Sequence, residues 1–412
     1  MPKRLLAFIS AESTQAKLME MRQGLDPIET PAIFPQYRVS GTSSFAISPD
    51  QSYAVHGSGA ASNNMTIYGD PARLADITSP AVSFSNSVGC VACSNTHYAF
   101  GGANPFLYVF LKSTGALQTV STTGLGTVNA LDFSPDGKKL AVTHTLTPFV
   151  RIYNTEDWSF VNAGTAAGTN CYAATFSHDN LKLVTFSQSS PFICVFNPAT
   201  GARTAAITTA GSTVSVQSGG EKSVRSPRDT KTILYALGSS PWLASFNTDT
   251  NALTPFVAPS PAIAWAGTIW VDPDPAEDAV YIQHAQGSTS PRRTITKFRI
   301  SDRTAYEAQP LAFAMSLVGS TGSVSSAFGI IWTQPHKITG TVRDVGNSPA
   351  SRRVRAYRRS DGLLMAETMS DPVTGNYTIK VNDAGPYDVQ FMTASGELLN
   401  DLFYAKSEPQ VA

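Results

Sequence analysis

The sequence predicts an all-β protein assembled from short repeated sheets, and three observations carry that prediction. Residues 130–158, ALDFSPDGKKLAVTHTLTPFVRIYNTEDW, and residues 173–201, AATFSHDNLKLVTFSQSSPFICVFNPATG, are two copies of one pattern. They register without a gap from Phe133 over Phe176 to Tyr153 over Phe196. Within each copy the apolar residues alternate with the period of two that a strand requires, and Pro, Asp, Asn, Gly and Ser clusters separate the strands. Finally, a chain of 412 residues with 30 Gly, 26 Pro and only 15% charged residues is long for one core and rich in turns. A unit this short cannot bury both faces of its sheet alone, so repetition implies stacking.

Further copies flank the central pair. Residues 43–59, SSFAISPDQSYAVHGSG, with MTIYGD at 65–70, form the first, and a weaker one at 91–117 keeps Pro105-Phe106, Phe110 and a Ser-Thr-Gly turn. Residues 223–253 follow the central pair with Trp242 in place of the phenylalanine, and a diverged copy spans 269–302. The unit of about 40–50 residues is that of a four-stranded propeller blade. Six copies are visible, and 311–332 is too short for another, so it is expected to supply inner strands of a last blade completed by a strand near 33–39. Closing the ring in this way removes sheet edges that would otherwise be free to aggregate. The expected architecture is a β-propeller of about seven blades, six being possible, over 31–334, followed by a small β-sandwich over 335–412.

The first 30 residues read differently. Leu5, Ile9, Leu18 and Met21 can line one side of a helix with Lys17, Glu20 and Arg22 on the other, ended by Asp26-Pro27. Residues 1–30 are therefore expected as a segment outside the ring, with a helical docking element as its candidate form. From 336 the chain reads as five or six strands, with turns at Asn347, at 360–362 and at 374–376. There Val354 and Ala356 share one side of a strand, with Arg353, Arg355 and Tyr357 on the other.

The Ser-Pro-Asp-Gly turns and the third strands ending in aromatic-Asn resemble the Trp-Asp-repeat and the related quinoprotein and lactonase-like propellers, over roughly 45–302. The Trp-Asp dipeptide and its usual Gly-His partner are absent. In the C-terminal part, Gly-Thr-Val, Val-x-Ala-Tyr, Thr-x-Ser-Asp, Gly-x-Tyr and Tyr-Asp-Val follow in the order of carboxypeptidase-regulatory-like, transthyretin-like modules. With Arg-Arg-Val-Arg-Ala-Tyr-Arg-Arg and Ser-Asp-Pro-Val-Thr-Gly-Asn-Tyr, the module is similar to C-terminal modules of tailed-phage virion proteins. This resemblance implies a non-enzymatic structural protein of a phage tail or adsorption apparatus, made in the host cytoplasm and assembled into the virion. Its implied partners are other tail proteins and further copies of itself, with host surface polysaccharide as a possible contact. The alternatives are a propeller enzyme of lactonase or hydrolase type and a cellular binding scaffold.

Chemistry-bearing motifs are sparse. A formal net charge of zero gives no long-range attraction to nucleic acid, and no apolar run approaches the roughly 18–20 residues that span a bilayer. Cys90-x-x-Cys93 has a metal-like spacing, but the two side chains of a strand at that spacing point to opposite faces, so no metal or cofactor is expected. The five arginines between 352 and 359 suggest ion pairs between subunits or a solvated strand face. His56, His144 and His284 are expected at one place, the end of each second strand, beside polar loops that carry Asn64, Gln188 and Gln286. Those six residues are the candidate ligand face, and the small polar loops around them suit hydroxyl-rich glycans.

Overall fold

Alternating burial along short antiparallel strands builds every part of this chain. The computed structural model describes residues 4–9, 16–22, 25–29, 44–57, 65–70, 75–78, 88–103, 106–163, 171–187, 189–209, 223–227, 231–237, 240–257, 265–272, 278–285, 293–305, 311–315, 327–332, 336–344, 346–359, 363–381, 386–392, 402–407 and 410–411. Among these there is no α-helix, and so none long and apolar enough to cross a membrane. The chain divides into two units, Leu5–Ile331 and a second unit of Trp332–Ala412 with Met1–Arg4.

The larger unit is a β-propeller with seven sheets among the described residues. In blade 3 the strands Val128–Phe133, Lys139–His144, Val150–Asn154 and Phe160–Asn162 pair in chain order, and in blade 4 Cys171–Phe176, Leu183–Ser187, Ile193–Phe196 and Arg203–Ile207 do the same. Blades 1, 5 and 6 are also four-stranded, over 44–78, 224–255 and 265–315, whereas blade 2, over 88–111, has three strands and an isolated bridge from Phe110 to Leu117. The first strands of blades 1 to 6 lie one against the next, so they form the inner wall of the ring.

Two cross-strand rows repeat from blade to blade. Phe133 faces Leu140, which faces Tyr153, and in the next blade Phe176 faces Leu183, which faces Phe196. The first row packs into the core shared with blade 2 and the second into the core shared with blade 3, so each looks toward the preceding blade. The third-strand aromatic recurs as Tyr68, Phe110, Tyr153, Phe196, Phe246 and Phe298, all buried. Each of the five apolar clusters in the ring spans two consecutive blades. The hydrophobic stabilisation of one blade is therefore supplied by its neighbour.

Polar bonds repeat as well. Ser48, Ser134 and Ser177 each donate to the aspartate two residues on, at 2.6, 2.6 and 2.5 Å. The Asp50 and Asp136 amides then donate to Asn95 and Asn180 of the following blade. A turn signal in the sequence is thus also an interblade clasp. The loops after the second strands share cis peptide bonds at Pro148, Pro191 and Pro241.

The seam of the ring differs from expectation. Residues 4–29 are three strands, Arg4–Ile9, Ala16–Arg22 and Leu25–Glu29, which add to Ala327–Trp332 to make blade 7. The helical docking element is therefore corrected to strands, because an open edge at 327–332 offers pairing that local helix preference does not outweigh. Leu311–Met315 is the outer strand of blade 6 rather than an inner strand of the last blade, and 33–39 lies outside the described residues.

The smaller unit has two sheets. One orders Asn376–Val381, His336–Thr341 and Gln410–Val411, the other Leu363–Met369, Arg353–Arg358, Tyr387–Phe391 and Leu402–Ser407. Ile338, Ile379, Val354, Ala356, Tyr387 and Val389 meet in one core between them. Arg353 is exposed and Arg355 and Tyr357 are half-buried on the opposite side of their strand.

The interblade aromatics give a direct stability test. Phe196→Ala should lower the free energy of unfolding by about 3–5 kcal/mol in chemical denaturation. Leu181→Ala, at a residue 66% exposed, should change it by less than about 0.5 kcal/mol.

Candidate functional site

The register of the second strands separates the three histidines. In each blade the amide that begins the turn binds the carbonyl that starts the second strand, at Tyr53, Lys139 and Ala279 for blades 1, 3 and 6. Counted from there, His144 and His284 are at the same position, and His56 is two residues earlier, level with Val142. The expectation of one shared place is corrected for His56, because the blade 1 turn leaves it opposite Phe45, the register that Val142 holds opposite Leu131. Asn64, Gln188 and Gln286 lie outside the described residues.

His144 is fully buried, and its Nδ1 accepts the Gly126 N–H at 3.4 Å. Gly126 permits that approach, since a Cβ there would lie 2.3 Å from Thr145 Oγ1. Burial, and then the charge of Arg151, pushes the imidazole down to about 4. Arg151 is itself buried, donating to the carbonyls of Ser121 and Thr123 and to the Tyr153 hydroxyl, with its guanidinium 4.0 Å from the Phe160 ring centre. His144 Nε2 has no hydrogen-bond partner among the described residues. Together Arg151, His144 and Tyr153 fasten the segment that links blade 2 to blade 3. Apart from the bond between Arg151 and Tyr153, their bonds go to backbone, which is a structural arrangement.

A second constellation was not legible from the motifs. Taking the cross-strand pairs as the guide, Ala46, Ala92, Asp132, Thr175, Arg225 and Trp270 are equivalent residues on the first strands of blades 1 to 6. Two residues of this row carry only methyl groups, and the other four carry a carboxylate, a hydroxyl, a guanidinium and an indole. Asp132 Oδ2 accepts the Phe176 N–H of the next inner strand at 2.9 Å, and the Thr175 hydroxyl also bonds to it. The Arg225 guanidinium lies 4.9 Å from the Trp270 ring centre in blade 6. Enclosure between inner strands raises the Asp132 carboxyl to about 6, although the Phe176 and Thr175 bonds and the Arg225 charge pull it down. Asp132, Arg225 and Trp270 keep partial exposure. All three lie on first strands, which form the inner wall of the ring.

The remaining candidates resolve into structure. Cys90 is buried in the core shared with blade 3 while Cys93 packs against the core shared with blade 1, so the pair points to opposite sides of its sheet. All four cysteines are free. An open depression of about 450 Å³ in the C-terminal unit is lined by Ser370, Asp371, Asn376 and Tyr377, among others. There Asp371 accepts the amides of Val373 and Thr374 and closes a turn, so the depression has little convergent chemistry.

No family model matches the chain, and no curated protein does. Among solved structures it is similar to a chain of the mitotic checkpoint complex, with 16% identity and a TM-score of 0.50 over 72% of this chain and 86% of that one. It is also similar to Kuenenia stuttgartiensis hydrazine synthase, with 13% identity and a TM-score of 0.48 over 61% of this chain and 75% of that one. The first likeness is one of fold.

Asp132 and His144 make opposite predictions for stability against pH. A carboxyl raised from 3.8 to about 6 costs stability as pH rises through that interval, so Asp132→Asn should raise the melting temperature at pH 7.5 by on the order of 2 °C. An imidazole lowered from 6.5 to about 4 costs stability as pH falls through that interval, so His144→Gln should flatten the acid limb. Melting curves between pH 4 and 8 on both variants check the two signs.

Proposed function

We propose that this chain is a non-enzymatic structural component of a tailed bacteriophage virion, of the tail or the adsorption apparatus. The reading is carried by the C-terminal unit. Its motif order, which resembles virion modules, falls on structural elements in sequence: Gly340-Thr341 ends the strand His336–Thr341, and Val354 to Tyr357 lies within Arg353–Arg358. Gly375-Asn376-Tyr377 opens Asn376–Val381, where Gly375 has φ +73° and a Cβ would lie 2.3 Å from the Val342 carbonyl oxygen. Tyr387-Asp388-Val389 opens the strand Tyr387–Phe391.

The propeller suits such a role physically. A ring whose two chain ends meet in one sheet exposes few edges, and such a body can be crowded against copies of itself without strand-to-strand aggregation. Zero net charge removes long-range repulsion between those copies. In this reading the ring presents a surface, and the C-terminal unit or its neighbours hold it in the particle.

Gradient-purified particles from the culture that produces this chain should contain it at a fixed ratio to the major tail protein by peptide mass spectrometry. Antibodies to the purified chain should decorate those particles at the tail in immunogold micrographs. Recovery only in the particle-free fraction would refute the reading.

A further inference from the structure

We infer that the row formed by Asp132, Thr175, Arg225 and Trp270 at the centre of the ring is a binding site for an uncharged, hydroxyl-rich saccharide. The site stands on the ring alone and does not depend on membership of a particle.

Four equivalent positions on consecutive inner strands carry an acceptor, a hydroxyl, a donor fork and an aromatic plane, whereas the same position in blades 1 and 2 is alanine. Packing accounts for the two alanines, since Ala92 lies in the core shared with blade 3 and Ala46 packs against the core shared with blade 2, whereas Asp132, Arg225 and Trp270 stay half-buried. The Phe176 amide and the Thr175 hydroxyl fix the Asp132 carboxylate. Stacking over Trp270 fixes the plane of the Arg225 guanidinium. Groups held in place before the ligand arrives lose little entropy on binding.

The charges select the ligand class. Asp132 repels an anion and Arg225 repels a cation, and the two interact with each other from blades 3 and 5. A ligand that satisfies both must donate and accept from adjacent atoms while carrying no net charge. Vicinal hydroxyls of a sugar do this, donating to the carboxylate and accepting from the guanidinium. The methyl groups of Ala46 and Ala92 leave the remaining two positions of the row small. The proposed ligand therefore meets the inner strands, a different place from the one expected from sequence at Asn64, Gln188 and Gln286.

The test uses the full chain and saturation-transfer difference NMR with dextran, mannan, galactan and rhamnan oligosaccharides of four to six units. Free glucose, mannose, galactose and rhamnose form a second arm that separates polymer recognition from recognition of a single sugar. At least one oligosaccharide should receive saturation. Arg225→Ala and Trp270→Ala should each weaken its binding by about tenfold or more, while Leu146→Ser on the rim leaves it unchanged. Should either alanine variant fail to fold, Asp132→Asn, which retains an acceptor for the Phe176 amide, and Arg225→Lys should show the same loss with a melting temperature no lower than that of the parent chain. Absence of saturation transfer from all eight sugars would overturn the inference. Full affinity in folded variants at Asp132, Arg225 and Trp270 would overturn it as well.

Discussion

Everything in the larger unit depends on one constraint, that a sheet of three or four short strands must bury its faces against another sheet. The constraint is met by directing the row that holds the third-strand aromatic toward the preceding blade, as Tyr153 does toward blade 2 and Phe196 toward blade 3. Each blade is thereby both a host and a guest. Large fully buried rings such as Phe186, Tyr235 and Phe246 sit at these junctions. The same junctions are crossed by polar bonds such as that from the Tyr53 hydroxyl to the Ser94 and His97 carbonyls, so apolar and polar terms favour the same spacing.

The architecture was legible wherever pattern and turn chemistry agreed. Phe133 with Tyr153 and Phe176 with Phe196 could be registered from sequence because both copies keep equal spacing between a Ser-Asp turn and an aromatic residue, and spacing in a strand fixes the side. His56 was misplaced because length was counted to a residue type and not to the turn. Arg225 was hidden by a slip of one residue. Aligning Ser226-Pro227 with Ser134-Pro135 would put Val224 level with Asp132, whereas the pairing of Val224 with Tyr235 makes Arg225 the equivalent. A single-residue slip exchanges the two faces of a strand, so no motif search recovers that row without the hydrogen-bonded ladder. Residues 4–22 were misread for a related reason, since their partner strand lies some 300 residues away and no local window contains it.

The two polar constellations illustrate different uses of burial. Around His144 and Arg151, charge and dipole are spent on carbonyls and amides of a connecting segment, which holds two blades in sequence. Around Asp132 and Arg225, the side chains keep part of their surface open where inner strands converge. Repetition makes the second arrangement conspicuous once the register is known. The six equivalent sites lie on the inner strands, where Ala46 and Ala92 join the cores between blades and Asp132, Arg225 and Trp270 stay half-buried.

Blade 7 joins the strands of residues 4–29 to Ala327–Trp332, and that seam orders events in time. Of the strands in the ring, the three made earliest belong to the sheet that is finished last. Until residue 332 emerges, the edge that will receive it is exposed while six other blades assemble, and the loop closed by that final pairing spans nearly the whole ring. Completion is a non-local event, slow in comparison with the hairpins that precede it. Growing chains of this protein therefore pass through an open horseshoe, and only the finished one is a ring.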